Sequence, residues 1–447
     1  MSEQSQMFAV EGSGTTVLHP VGFLFLIICG VTFIFLPRKY ALFPLSILIC
    51  FVASRQCIAI GGLNLYFMRI MVLFFGAIRV ISRSEFQSIR FNALDWCVLL
   101  YGLSIFVTGV LNFGITSPEI KMRSGFMVDI IGMYFLLRSI IRDEEDVNMA
   151  IKGLALISIP LAVFFFIEHS TGRNLFSIFG GVPELTPIRE GRLRCQGAFG
   201  HPLLAGIIWA AFMPMFIYRA ISKDSSNRPL FWLSIICTCC IVLLTASSTP
   251  VLGLAAAFVL MLLFPLRKLT RPAVFTGFLS IVVLHFVMQG PVWGLIMKIN
   301  ITAGNSGYHR FLLVDGFINH WQEWFLLGSR IGTGHWGHFT FDTANQYVSV
   351  GVQGGFVALA FFMMTIVLGF IAAGRISKHR PFLGWTVGVV LAVYCICFFG
   401  ISVWGQMFFA WALPLAVISS LQQSYSRVAL SERDEGVGYI YGEELAS

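Results

Sequence analysis

Long apolar runs constrain the fold of this chain more than any other feature of its sequence. Runs of about 18 or more apolar residues recur along the 447 residues, and a helix needs about 20 such residues to cross a bilayer. The strands of a membrane barrel would alternate polar and apolar residues, and these runs do not. Only 12% of the residues are charged, whereas about a quarter are charged in a soluble domain. The sequence therefore predicts an all-α polytopic membrane protein.

The apolar runs predict about 12–14 transmembrane helices, taking about 20 residues for each crossing. The short run at 40–54 also fits a re-entrant segment. This division gives a polar N-terminal segment (1–17), a membrane domain (18–421) and a cytoplasmic tail (422–447), whose acidic end we expect to be disordered. The predicted spans are 18–36, 40–54, 63–82, 94–112, 125–141, 148–167, 201–218, 229–246, 250–266, 273–290, 346–373, 382–400 and 404–421.

Lysine and arginine residues set the expected orientation. They gather in alternate loops, which places those loops and the C-terminus in the cytoplasm. Topology therefore explains most of the net charge of +8, and we expect no nucleic-acid partner. Two long segments, about 168–200 and 291–345, lie on the opposite, outer face. Long loops on one face of a helix bundle are usually functional.

A cluster of arginines in the first outer loop breaks the charge rule. The stretch REGRLRCQGAFGHP at 189–202 carries three arginines and leads into a helix near Pro202. Arginine binds phosphate bidentately, a helix N-terminus adds N–H donors, and Gly197 and Gly200 would let the backbone approach a ligand. The alternative is that these arginines only contact lipid phosphates or pair with acidic neighbours. The predicted anion site comprises Arg189, Arg192, Arg194 and His201.

The second outer loop ends in a cluster of polar residues, in the stretch GTGHWGHFTFDTANQYVSVGVQGG at 332–355. Histidine and aspartate are well suited to take a proton from a hydroxyl near neutral pH. Two structural alternatives remain open: Asp342 as the N-cap of a helix beginning near 343, and the histidines as interface residues beside Trp336. Metal binding would need more ligands at fitting spacing, so we expect no metal. The candidates are His335, His338, Asp342, Asn345, Gln346 and Tyr347.

One ionisable residue falls inside a predicted span. Arg69 lies within 63–82, and because a charge at that depth is costly, it indicates a function or a partner. It could also reach the outer headgroups by extending along the helix. We find no acidic or histidine relay through the bundle, which weakens the alternative of a proton-coupled transporter.

Three stretches resemble the O-antigen ligase/polymerase superfamily, over roughly residues 60–420. The first, RCQGAFGHPLLAG, fits that family's R-x-x-G-x-F-G-x-P pattern at the start of a helix. The second, YHRFLLVDGFINHWQEWFLLGSRIGTG at 308–334, is similar to its long periplasmic loop. The third, DTANQYVSVGVQGGFVALAFF, is similar to its closing motif. The order of the three stretches strengthens the resemblance.

The resemblance implies a glycosyltransferase with a helical fold of the GT-C type. Such enzymes take a glycan from undecaprenyl pyrophosphate at the periplasmic face of the bacterial inner membrane, without a metal or other cofactor. Arg194 and Arg310 match family arginines that hold the pyrophosphate. Two positions depart from the pattern: Leu203 replaces an asparagine, and Ala344 replaces the histidine thought to activate the acceptor.

The missing histidine leaves the general base open. Asp342 is the nearest replacement and His338 the second choice, and we expect Asp342 to stay ionised beside the arginines. The predicted catalytic residues are therefore Asp342, Arg194, Arg310 and His338, and the predicted substrate-binding residues are Arg189, Arg192, Arg69, His201, Asn345, Gln346, Tyr347 and His335.

Polymerisation of lipid-linked repeat units of an exopolysaccharide or O-antigen is the function that these features favour. A ligase that transfers the glycan to lipid A core or to protein would share the donor site. A transporter of polysaccharide intermediates and a non-catalytic scaffold are alternatives of other classes. The expected partners are the undecaprenyl-pyrophosphate-linked glycan, the lipid bilayer and other polysaccharide-assembly proteins.

Overall fold

The structure is a computed structural model, and it describes residues 16–61, 63–116, 118–225, 227–298, 306–337 and 340–444. The side chains at 88, 306 and 427–444 lie outside that description. The α-helices are α1 Pro20–Phe35, α2 Leu42–Phe51, α3 Phe67–Ile70, α4 Ala77–Ser82, α5 Ala93–Phe113, α6 Pro118–Met127, α7 Met133–Ile140, α8 Glu144–Thr171, α9 Pro202–Ile221, α10 Arg228–Leu244, α11 Ser248–Leu262, α12 Thr270–Val287, α13 Ser306–Asn319, α14 Trp321–Trp324, α15 Gln346–His379, α16 Pro381–Cys397 and α17 Met407–Glu444.

Strands are short within these described ranges. They form two antiparallel hairpins, β1 Cys57–Ile60 with β2 Leu63–Tyr66 and β3 Ile188–Arg189 with β4 Arg192–Leu193. Five of the helical stretches described are long and apolar enough to cross a membrane: Ala93–Phe113, Glu144–Thr171, Pro202–Ile221, Phe264–Val287 and Gln346–His379. This arrangement is compatible with an all-α, multi-pass membrane protein.

Helix α9 lies at the centre of the bundle and continues directly from the arginine-rich stretch. Its first residue is Pro202, whose fixed φ suits the first helical turn, and the His201 side chain caps it by accepting a hydrogen bond from the Leu203 amide. Nearly all of its side chains are buried, against α10, α11 and α16. A buried, central helix therefore fixes where the first outer loop ends.

Helix α15 begins at Gln346, as the predicted span 346–373 requires, but it is broken at Gly355. Gly355 has φ 68°, and a Cβ at this position would lie 2.5 Å from the Leu326 carbonyl oxygen. The break frees backbone groups, which the preceding loop satisfies: Phe356 N donates to Phe325 O at 2.7 Å and Ser329 N donates to Val352 O at 2.8 Å. The second outer loop is thereby bonded to the bundle.

Three features of the fold differ from the sequence-based expectations. The predicted span 63–82 begins in strand β2, and its helix contains a π-helical segment at Met71–Gly76. The run at 40–54 forms a helix of only ten residues, Leu42–Phe51. The tail expected to be disordered continues α17 as helix to Glu444. The hydropathy of a segment predicts neither a β-hairpin nor a helix that continues into polar residues beyond the apolar run.

Candidate functional site

A cavity of about 130 Å³ lies where both outer loops meet the bundle. His201 lines it from the start of α9, Asp342 lines it from the end of the second loop, and the segment 400–406 between α16 and α17 closes one side. Because one water needs about 10–15 Å³, the cavity can accommodate a group of diphosphate size. A bulkier substituent would have to extend out of it.

The first loop delivers its arginines through a tight hairpin. Glu190 and Gly191 both have positive φ, of 52° and 74°, and they turn β3 into β4. Arg189 and Arg192 are direct cross-strand partners in this hairpin. Both are exposed, with only a 4.0 Å contact from Arg189 Nε to Glu190. Like charges placed opposite each other destabilise a hairpin, so this pairing favours an anionic ligand.

Glu168, at the end of α8, binds the backbone at Gln196 and Gly197, directly after the β3–β4 hairpin. Its two carboxylate oxygens accept hydrogen bonds from Gln196 N at 3.1 Å and from Gly197 N at 2.8 Å. Asn174 Nδ2 donates to the Gly197 carbonyl at 2.8 Å. Hydrogen bonds to a charged acceptor are stronger than neutral ones. By holding Gln196 and Gly197, Glu168 therefore positions Arg194, which comes just before them in the chain.

The expectation that Gly197 and Gly200 admit a ligand to the backbone is wrong. Gly197 has φ 58°, and a Cβ there would lie 2.8 Å from the Phe165 ring; at Gly200 it would lie 2.7 Å from the Trp404 ring. Both glycines are therefore needed for close packing within the protein.

Arg194 and Arg310 reach hydroxyls two residues apart at the start of α11, although the two arginines lie 116 positions apart in the sequence. Arg194 Nη2 donates to Ser247 Oγ at 2.8 Å and Arg310 Nη2 donates to Thr249 Oγ1 at 2.7 Å. A Cβ at Gly400 would lie 3.0 Å from Arg310 Nε, so this guanidinium lies directly behind the cavity wall. The two arginines matched to family motifs are thus brought together.

The charge around these two arginines is strongly positive. Among the residues that the structure describes, no ion pair to Arg310 is found. Burial and the neighbouring Arg189 both lower the pKa of Arg310. Burial, Arg194 and Arg189 lower the pKa of His201 to about 3. The protein thus lowers the pKa of two basic groups at this site, and a bound anion would offset the repulsion between the positive charges.

His201 is therefore neutral near pH 7, and its tautomer follows from its hydrogen bond. Nδ1 accepts from Leu203 N at 3.1 Å, so the proton of the neutral ring is on Nε2. Since His201 lines the cavity, its Nε2–H can serve as a hydrogen-bond donor. It adds to the arginines without adding a charge.

Asp342 supplies a carboxylate at the same cavity. Burial raises its pKa, and His309 and a hydrogen bond from the Ala344 amide oppose that rise. We expected arginines to hold Asp342 ionised, but the side chain that lowers its pKa is His309. A carboxylate whose pKa is shifted toward neutrality is a better general base than an ordinary aspartate.

The predicted N-cap at Asp342 is wrong. Asn345 caps α15 instead, and its side chain accepts from Tyr347 N at 3.0 Å and Val348 N at 3.2 Å. Asp342 is thus released from capping and faces the cavity with Thr343 and Ala344.

Gln346 and Tyr347 bind the protein itself. The Gln346 carbonyl oxygen Oε1 accepts from Val403 N at 2.6 Å, which holds the segment 400–406 against the cavity. Tyr347 Oη donates to the Cys395 carbonyl at 2.9 Å. Together with the cap at Asn345, these contacts position the cavity wall, and none of the three lines the cavity itself.

Arg69 also lines the cavity, and it pairs with an acidic side chain. Arg69 Nη2 donates to Asp129 Oδ2 at 2.7 Å and Nη1 donates to the Asn64 carbonyl at 2.9 Å. Asp129 also lines the cavity. A function or a partner is predicted for Arg69 because it lies inside a predicted span. Its partner is Asp129, which supplies a second carboxylate at the site.

Of the two remaining candidate histidines, the structure describes His335, which lies away from the cavity. His335 Nε2 is 2.8 Å from Glu323 Oε2, and neither residue lines the cavity. His338 falls outside the residues that the structure describes. Sequence reasoning missed Glu168, Ser247, Thr249, His309 and Asp129, because nothing local marks a residue whose partner is more than ten positions away. Two signals were available in the sequence. Glu168 is an acidic residue at the end of an apolar run, and Ser247, Ser248 and Thr249 form a polar run between two apolar helices.

Comparison with known proteins adds no family to this geometry: no family model matches the chain, and no curated protein matches it.

Proposed function

We propose that this protein is a membrane glycosyltransferase that polymerises lipid-linked oligosaccharide repeat units. Its donor is an undecaprenyl-pyrophosphate-linked glycan, and its product is an exopolysaccharide or O-antigen chain. The protein belongs to the bacterial inner membrane in this proposal, with about 12–14 helices of about 20 residues, a GT-C-like fold and the cavity facing the periplasm. The O-antigen ligase/polymerase resemblance supplies the reaction class.

One observation carries the proposal: Arg194 and Arg310 reach hydroxyls two residues apart, beside a cavity lined by His201 and Asp342. Arginine matches the geometry of a pyrophosphate and keeps its charge. The start of α11 adds a partial positive charge. A diphosphate bound there would place its negative charge beside both arginines.

The chemistry follows from these placements. An acceptor hydroxyl attacks the anomeric carbon of the donor glycan, a new glycosidic C–O bond forms, and the C–O bond to the pyrophosphate breaks. The pyrophosphate leaves with the bonding electron pair, and Asp342 takes the proton of the hydroxyl. Fixed arginines aimed at the growing negative charge stabilise the transition state, and a general base contributes about 10²–10⁴-fold.

The test uses membrane-embedded variants and a defined lipid-linked repeat unit. Arg194→Ala and Asp342→Asn are compared with Arg173→Ala, an exposed arginine of the same loop that pairs with Glu184. We expect Arg194→Ala to lower the rate by about 10²–10³-fold and Arg173→Ala to behave as wild type. Protein abundance in the membrane is the control for folding.

The products separate the proposed polymerase from a ligase. A polymerase converts single units into a ladder on a gel, and the Arg194→Ala and Asp342→Asn variants then accumulate single lipid-linked units. Long polymer that fails to reach lipid A core or protein in these variants would instead identify a ligase. Wild-type ladders from both variants, at normal abundance, would show that the cavity is not the transferase site.

A further inference from the structure

Three side chains with metal-ligating atoms meet in the second outer loop, away from the cavity. They are His320, Glu323 and His335, and their ligand atoms all lie within 4.8 Å of one another. His320 and Glu323 are three residues apart at the start of α14, so they share one face of the chain. His335 comes from the turn that follows, twelve residues beyond Glu323.

Hydrogen bonds outside the cluster already orient its ligands. His320 Nδ1 lies 2.9 Å from the Gly316 carbonyl oxygen, and because a carbonyl only accepts, Nδ1 carries the proton and Nε2 presents its lone pair. Trp336 Nε1 donates to Glu323 Oε2 at 3.0 Å. Metal-binding histidines almost always donate their second N–H to a carbonyl or carboxylate, and ligating carboxylates are themselves hydrogen-bonded. Both patterns are present here.

Packing holds the two segments of the cluster together. The Trp336 ring stacks on the His320 ring with an interplanar angle of 14°, and a Cβ at Gly316 would lie 2.9 Å from Trp336 Cβ. The turn that carries His335 is closed by Thr340 Oγ1, which donates to the Thr333 carbonyl at 2.6 Å. The ligands therefore need only side-chain rotation to close on an ion.

We infer that His320, Glu323 and His335 form a binding site for a borderline divalent cation such as Zn²⁺. Two imidazoles and one carboxylate suit this class of ion, and solvent can fill the remaining coordination position. Ligand atoms around a tetrahedral zinc are about 3.3 Å apart for bonds of about 2.0–2.1 Å. The shared contact of His335 Nε2 with Glu323 Oε2, at 2.8 Å, is where the ion would replace a proton.

The role of this site is to brace the loop, and it does not depend on the proposed transferase function. The ion would join the start of α14 to the segment 333–337, which comes shortly before Asp342 in the chain. None of the three ligands lines the cavity, so the ion takes no part in the proposed reaction. Binding to the folded state alone stabilises it by mass action.

The experiment uses the full chain, purified in detergent and stripped with a chelator, and titrated with Zn²⁺ in a calorimeter. We expect one ion for each chain, and Co²⁺ in the same site should give the visible absorption of a tetrahedral complex. His320→Ala and His335→Ala should each weaken Zn²⁺ binding at least about tenfold. Trp336→Phe, which removes the hydrogen bond to Glu323 and part of the ring stacked on His320, should weaken it about 10–100-fold.

Two further variants keep the inference open to refutation. Glu323→Gln preserves size and can still accept from Trp336, so a loss of Zn²⁺ affinity there reports on ligation rather than on folding. His169→Ala removes an exposed histidine outside the cluster and should bind as wild type. The inference fails if the stripped wild type binds no ion. It also fails if the three ligand variants bind Zn²⁺ as tightly as His169→Ala.

Discussion

Replacing Arg310 by methionine should abolish activity without lowering stability. Arg310 is partly buried, donates to Thr249 Oγ1 at 2.7 Å and lies near other cations. Burial and Arg189 lower its pKa, which means that the folded protein disfavours the charged form. Methionine keeps most of the side-chain length and removes the charge. Loss of one preorganised donor should cost about 10²–10³-fold in rate, or about 2.7–4 kcal/mol.

Arg138→Met is the matched control, because Arg138 is buried but paired. Its Nε lies 3.2 Å from Asp95 Oδ1 and donates to Ser419 Oγ at 3.0 Å. Removing one partner of a buried ion pair costs about 3–5 kcal/mol, since the other charge stays buried alone. Arg138→Met should therefore unfold at a clearly lower temperature than wild type.

The assay measures thermal unfolding in detergent by tryptophan fluorescence, alongside polymerisation of a lipid-linked repeat unit. We expect Arg310→Met to unfold at or above the wild-type temperature while its ladder disappears. A drop in the unfolding temperature as large as that of Arg138→Met would refute the reasoning, because Arg310 would then be a structural residue.

Three other outcomes follow from the structure. Because burial raises the pKa of Asp342, the polymerisation rate should fall on acidification at a higher pH than for an ordinary aspartate, and Asp342→Asn should flatten that limb of the pH–rate profile. Gly355→Ala should destabilise the protein by more than about 1 kcal/mol, since φ is 68° and a backbone carbonyl lies 2.5 Å from the added Cβ. Gly374→Ala, in open space within the same helix, should be neutral or stabilising by thermal unfolding. Glu168→Gln should slow polymerisation by misplacing Gly197 and its neighbours, which a wild-type rate at normal abundance would contradict.

Continuous apolar runs predicted most of the long helices, because a run of about 20 apolar residues is itself the signal for a membrane-spanning helix. The start of α15 at Gln346 and of α9 at Pro202 follow from turn and capping residues near an apolar run. The same patterns misplaced the cap of α15, since Asp342 and Asn345 both suit that position by residue type. Only the hydrogen bonds from Tyr347 N and Val348 N decide between them.

The candidate site could be predicted only in part. The types of Arg194, Arg310 and Asp342, and their places in the outer loops, were visible in the sequence. The meeting of the two arginines was not, because it depends on Ser247 and Thr249 at the start of α11. The cluster of His320, Glu323 and His335 escaped notice because a separation of twelve residues between ligands carries no periodicity.

The sequence by itself determined that the chain is helical, apolar and compatible with several membrane crossings. Each of these properties depends only on the residue types within a segment, and not on contacts between segments. Only the tertiary structure decided that Arg310 stays without an acidic ion-pair partner among the described residues while Arg69 is neutralised by Asp129. Both are arginines of an apolar chain, and their chemistry differs because electrostatic energy depends on distances between side chains. Those distances exist only after the helices have packed.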